Sequence, residues 1–172
     1  YNTDGSLDTT FNGTGIVTLF TDAAMILAAL LFVSGLRQFL GRAPGRWPWF
    51  LVAIAAYAAV FLPVRAEYGL VGRHVLLNGT LGSVYLLLGL ESARASLRQA
   101  VRLRAPLALL ALLMSVLGLL TLSRAIYVGQ QGPGVLYAGT FAQVFYGYAS
   151  LAAVMLGLNL VWLVFVRLNT QL

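Results

Sequence analysis

The stretch GRHVLLNGTLGSVYLLLGLES, residues 72–92, decides how this chain is read. From His74 to Leu90 it carries no Asp, Glu, Lys or Arg. At about 1.5 Å of rise per residue, a helix of that length approaches the thickness of a bilayer's hydrocarbon core. Along it Asn78, Gly82, Tyr85, Gly89, Ser92 and Ser96 recur at alternating spacings of four and three, which places them on one helical face. Such residues let helix backbones approach closely in lipid, where apolar burial alone drives no association. The face is therefore read as a helix-packing seam. Leu76, Leu77, Leu86, Leu87 and Leu88 fall on the other faces, which suit lipid or apolar neighbours.

Four more apolar stretches surround this one. The spans are expected near residues 20–38, 48–65, 72–92, 105–124 and 136–166, since about 20 helical residues cross the bilayer core. Composition agrees: 60% of the 172 residues are hydrophobic and only 9% charged, too few charges to cover an aqueous surface. The expected fold is an all-α integral membrane protein, a bundle of about five transmembrane helices over residues 19–172. Trp47, Trp49 and Phe50 at one end of the second span, with Phe61 towards the other, match aromatic belts at the two bilayer surfaces.

Orientation follows from arginine, the chain's only strongly basic residue type. Arg37, Arg42, Arg46, Arg94, Arg98, Arg102, Arg104 and Arg167 fall on one side of the expected bundle, and only Arg65, Arg73 and Arg124 on the other. Positive charge stays on the cytoplasmic side, so the N-terminus is expected outside and the C-terminus in the cytoplasm. The net charge of +6 is read the same way, as contact with anionic lipid and not with nucleic acid. Arginine without lysine, with heavy Ala, Leu and Gly usage, points to a bacterial inner membrane by association.

Span five repeats the seam with Gly139, Gln143, Tyr146, Ser150, Ala153 and Gly157, and span four has a weaker version in Ala108, Ala111, Ser115 and Gly118. A polar amide in lipid needs a partner, so Asn78, Gln143 and Asn159 are expected in the bundle interior. Arg94, Arg98 and Arg102, at i, i+4 and i+8, are expected to extend the third helix as a basic stripe, with Glu91 pairing to Arg94. That stripe supplies the candidate lipid-headgroup contacts. Glu67, Tyr68, Arg73, His74, Arg124, Tyr127, Gln130 and Gln131 fall in or beside two loops at the sparsely basic end, a candidate ligand site over the bundle mouth.

Much chemistry is missing from the sequence. Without cysteine there are no disulfides or thiolate sites. No ionisable residue is placed near the middle of a span, which argues against proton or ion pathways. No nucleophile motif or phosphate loop occurs; Gly129 to Gly134 reads as an inter-helix turn. The lone His74 reads as an interfacial hydrogen-bonding residue, with axial ligation of a haem or chlorophyll as the sharper alternative. No catalytic residue, cofactor or metal is expected.

Residues 1–18 are polar, with turn dipeptides at Asp4-Gly5 and Asn12-Gly13. They resemble a single bacterial β-repeat, and are expected to be an extracytoplasmic tail or fusion remnant. Opening on Tyr1 rather than methionine, the chain is expected to be processed, truncated or engineered, and no signal peptide pattern is read in it.

Two further stretches carry a family resemblance. One is Ser34 to Pro44 (SGLRQFLGRAP), where an apolar helix runs into an arginine-rich turn; the other is Leu156 to Leu172 (LGLNLVWLVFVRLNTQL). With the intervening spans, they resemble the membrane region of bacterial diguanylate cyclases, the GGDEF proteins. The GGDEF domain itself is absent from this sequence, so no catalytic residue is carried over. The resemblance implies a sensory and dimerising input module, signalling through its last helix to a cytoplasmic output domain encoded beyond Leu172. The uniformly apolar outer faces keep a second expectation open, an accessory or scaffolding subunit of a larger membrane complex. A small-molecule transporter is third.

Overall fold

A computed structural model describes residues 13–99 and 101–169. It is helical almost throughout: α1 (Gly13–Phe39), α2 (Trp47–Arg98), α3 (Val101–Gln131), a 3₁₀ turn (Pro133–Leu136) and α4 (Gly139–Leu168). All four α-helices are long and apolar enough to cross a membrane, and the chain is that of a membrane protein.

The 52-residue α2 is not one continuous rod. Gly69 sits inside it at φ 58° and ψ −134°, a conformation that a residue with a Cβ rarely adopts. It divides α2 into a first arm (47–68) and a second arm (70–98). The arms lie side by side, since Tyr57 on the first and Arg73 on the second both reach the carboxylate of Asp22 on α1. Across the same interface Phe61 and Tyr57 share an apolar cluster with Leu77, Leu81, Ile26 and Ala29. Pro63 lies within the first arm; lacking an N–H, it leaves the carbonyl four residues earlier without its helical partner.

The second arm of α2 and α3 form the centre. A Cβ on Gly118 would lie 2.8 Å from the Leu86 backbone N and 2.9 Å from the Gly82 carbonyl, and one on Gly82 would lie 3.0 Å from the Gly118 carbonyl. A Cβ on Gly89 would strike Ser115 Oγ. The glycines are thus what lets these two backbones meet. Helix α1 flanks the second arm, and α4 flanks α3. Between α1 and α4 themselves no pair of Cα atoms comes within 8 Å. Side chains bridge that gap: Phe32 and Leu36 from α1 share a cluster with Leu156, Leu160 and Leu163 from α4.

Several sequence expectations need correction. Residues 13–18, assigned to the β-repeat-like tail, are the first turns of α1; residues 1–12 lie outside the described residues. The fifth span does not start at 136, because the 3₁₀ turn ends there and α4 begins at Gly139. The Arg94–Arg98–Arg102 stripe does not run along one helix. Gln99 is extended at φ −88° and ψ 165°, ending α2, and Arg102 belongs to α3. Glu91 pairs with Arg37 of α1 at 3.6 Å. Finally, Gln143 is exposed and not interior.

Candidate functional site

At the Gly69 end of the bundle, a carboxylate sits where no solvent reaches it. Asp22 is fully buried, one residue type that lipid and protein interiors both resist. Three donors satisfy it: Arg73 Nη2 donates to Oδ1 at 2.8 Å, Arg73 Nε to Oδ2 at 3.0 Å, and the Tyr57 hydroxyl to Oδ2 at 3.1 Å. The two-pronged guanidinium contact fixes orientation as well as charge. One turn before, Arg65 Nη1 donates to Thr18 Oγ1 at 2.7 Å. One carboxylate therefore joins α1 to both arms of α2. In the sequence Asp22 stands at the very start of the first expected span, just after the polar tail, and nothing in its spacing names Arg73 as its partner, 51 residues away.

Beside this cluster lies a cavity of about 370 Å³ lined from four directions: Met25 on α1, His74 and Asn78 on α2, Thr121 and Arg124 on α3, and Tyr146 on α4. Asn78 Nδ2 donates to the His74 carbonyl at 2.7 Å, and Thr121 Oγ1 donates to the Leu117 carbonyl at 2.7 Å. Arg124 is held by α4: its Nη2 donates to the Tyr146 hydroxyl at 2.7 Å and, at 3.4 Å, approaches the Leu136 carbonyl. Its guanidinium carbon lies 4.3 Å from the Phe145 ring centre and 5.0 Å from that of Tyr146. Both ion pairs among the described residues use other arginines, so Arg124 faces the cavity with aromatic rings around it and no carboxylate.

Deeper between α1 and α4, a second cavity of about 170 Å³ is wholly apolar in its lining, apart from the Tyr85 hydroxyl. Tyr85, Leu117 and Ala149 line both cavities. The two cavities are therefore neighbours, one lined by polar groups and the other by Phe32, Leu88, Met114 and Leu156.

Of the residues expected to surround a ligand, His74 and Arg124 do share this cavity, and Arg73 stands directly behind it on Asp22. The others do not join them. Glu67 is exposed near the Gly69 break, Tyr68 lines a separate apolar groove with Val64 and Val75, and Tyr127 stacks on Phe141 at 5.2 Å. All of these residues are helical and not in loops, so each reaches only what its own helix face allows.

The seam residues divide by helix. Asn78, Gly82 and Gly89 are buried on the α3-facing side of α2, and Tyr85 lines the cavities. On α4, Gly139, Gln143, Tyr146, Ser150, Ala153 and Gly157 are exposed, whereas Ala142, Phe145, Ala152, Asn159 and Leu163 are buried. The buried set is displaced from the expected one by a single residue, about 100° of helix rotation. Asn159 is interior, donating from Nδ2 to the Pro106 carbonyl at 3.0 Å.

At the opposite end, Arg167 donates to the Phe39 carbonyl and lies over the Phe39 ring, tying the last turn of α4 to the C-terminus of α1. No group of three or more His, Asp or Glu able to hold a metal ion occurs among the described residues. No family model, no curated protein and no solved structure matches the chain.

Proposed function

We propose that this chain is the sensory and dimerising input module of a bacterial inner-membrane signalling protein. The two arms of α2 are separate spans, five in all, with the N-terminus outside and the C-terminus in the cytoplasm. A continuous helix of 52 residues would be about 78 Å long, more than twice the hydrocarbon core; the Gly69 break supports counting two. On that count the Gly69 end, with its cavity, opens outward, and the arginine-rich end faces the cytoplasm.

The observation that carries the reading is the separation of α1 from α4. The helix that leaves the bundle last is held to α1 by side chains and by Arg167, with cavities between them. An occupant that changes that spacing favours one arrangement of α4 over another, which is what a transmitted signal requires. The outward stripe of Gly139, Ser150 and Gly157 on α4 supports a helix–helix contact with a second copy.

Because the chain has no cysteine, single cysteines report cleanly. Ser150→Cys and Gly157→Cys are each expected to give disulfide-linked homodimers in native membranes, while Leu112→Cys on the exposed face of α3 does not. A fluorescent reporter fused after Leu172 is expected to mature in the cytoplasm. Monomers throughout, or an exported C-terminus, would sink the reading. Capture of a different membrane protein at Ser150 in fixed stoichiometry would favour the accessory-subunit alternative, for which the same exposed stripe is the supporting feature.

A further inference from the structure

We infer that the neighbouring cavities beside α1 and α4 together bind a single-chain amphiphile with a carboxylate head, a medium-chain fatty acid, whose head sits on Arg124 and whose tail passes Tyr85, Leu117 and Ala149. The inference rests on the input-module reading only for which side the head enters from; binding is measured separately from signalling.

The chemistry of the two ends differs in the way such a molecule does. The wide end offers Arg124, His74, Asn78, Thr121 and Tyr146, and the narrow end offers Phe32, Leu88, Met114 and Leu156. The larger cavity, about 370 Å³, falls in the range of small-molecule sites; the smaller, about 170 Å³, has room for part of one acyl chain and not for two. A tail leaving surrounding lipid for an apolar cavity gains little, because both environments are equally oily. The head must therefore supply most of the preference.

Arg124 is suited to that task. Its Nη2 is engaged by Tyr146 and Leu136, while its Nε and Nη1 make no hydrogen bond. A guanidinium presents donors in a fork that matches a carboxylate's two oxygens. Arg124 is half-buried against the Phe145 and Tyr146 rings, and an incoming anion would give its charge the partner that it lacks among the described residues. Asp22 does not do this, since its carboxylate is engaged by Arg73 and Tyr57. One unpaired cation favours a singly charged head over a dianionic phosphate. The second hydrogen of Asn78 Nδ2 and the imidazole of His74 are further donors in the same cavity lining.

The test uses the whole chain in nanodiscs of phosphatidylcholine, with a dodecanoate carrying a photoreactive group near its methyl end. Labelling is expected on residues around Met114 and Ala149–Leu156, competed by unlabelled dodecanoate and not by dodecanol. Arg124→Gln is expected to weaken labelling on the order of tenfold or more, the scale of a lost charge-assisted pair. Should that variant fold poorly, Ala149→Phe keeps the head group and narrows the passage, so octanoate must now compete better than dodecanoate. Equal competition by dodecanol, or labelling unchanged in Arg124→Gln, would overturn the proposal. So would labelling abolished by replacing the phosphatidylcholine with phosphatidylglycerol, which would assign the cavity to a bilayer lipid. Spin labels on Leu31→Cys and Val161→Cys read the signal separately. Binding without a change in that distance supports the ligand and counts against sensing.

Discussion

Two helix pairs in this bundle are built on opposite plans. Helices α2 and α3 meet backbone against backbone, with Gly82, Gly89 and Gly118 removing every atom that would hold them apart. Helices α1 and α4 never approach so closely and are joined by Phe32, Leu36, Leu160 and Leu163, with cavities among those side chains. The first plan fixes a geometry, since close-packed backbones have few alternative arrangements. The second leaves space that a ligand can fill and a distance that can change. Rigidity at the centre and adjustability at the flank are what the proposed input module would need.

The sharpest way to break the comparison is to release α1 from the centre. Arg73→Met leaves the carboxylate of Asp22, which is wholly buried, without its charge partner. Removing one member of a buried pair costs about 3–5 kcal/mol in soluble proteins, and a comparable loss of thermal stability is expected in nanodiscs. The double variant Asp22→Leu/Arg73→Met is expected to recover most of it, because the uncompensated charge is gone. If the double variant were no more stable than Arg73→Met, Asp22 would not be the reason that Arg73 matters.

A smaller effect separates the two plans directly. Gly118→Val places branched carbon against the Leu86 and Gly82 backbones, which cannot rotate away as a side chain can. Overpacking of this kind costs about 1–3 kcal/mol. Gly157→Val on α4 adds the same atoms where nothing lies within 4 Å, and is expected to leave monomer stability within about 0.5 kcal/mol. Equal losses at the two positions, measured by thermal unfolding, would show that the α4 stripe is packed after all.

These contrasts also mark what could be read from the sequence. Hydropathy finds the apolar segments, although it reads as two spans what the structure has as the one kinked α2, and the spacing of Asn78, Gly82 and Gly89 marks the α3-facing side of α2, where small residues alternate with bulky ones. On α4 the same reasoning chose a face rotated by one residue. Every face of that helix is apolar, from Phe145 inside to Val154 outside, so polarity does not tell a protein neighbour from lipid there, and small residues were the only guide. The Asp22–Arg73 pair escaped because it is a tertiary event: Asp22 follows a polar tail in sequence, and only the reversal at Gly69 brings Arg73 and Tyr57 to it together. Glu91 was matched to the nearest arginine along its helix, whereas the partner it reaches, Arg37, comes from α1.

The smallest effect comes from Asn159, which lies in the side-chain-bridged half of the molecule. Its Nδ2 donates to the Pro106 carbonyl at 3.0 Å, while its Oδ1 is buried with no partner. Hydrogen bonds between membrane helices average about 0.6 kcal/mol, and a buried acceptor left unpaired costs a similar amount or more. The two contributions oppose each other, so Asn159→Leu, close to Asn in size, is expected to change stability by less than about 1 kcal/mol in either direction. Asn159→Asp separates them. Ionised, it only accepts and faces the Pro106 carbonyl with a buried charge, so above neutral pH it is expected to be clearly worse than leucine. Were leucine the more damaging of the two, the amide would be contributing specificity to the α3–α4 contact that its hydrogen bond alone does not account for.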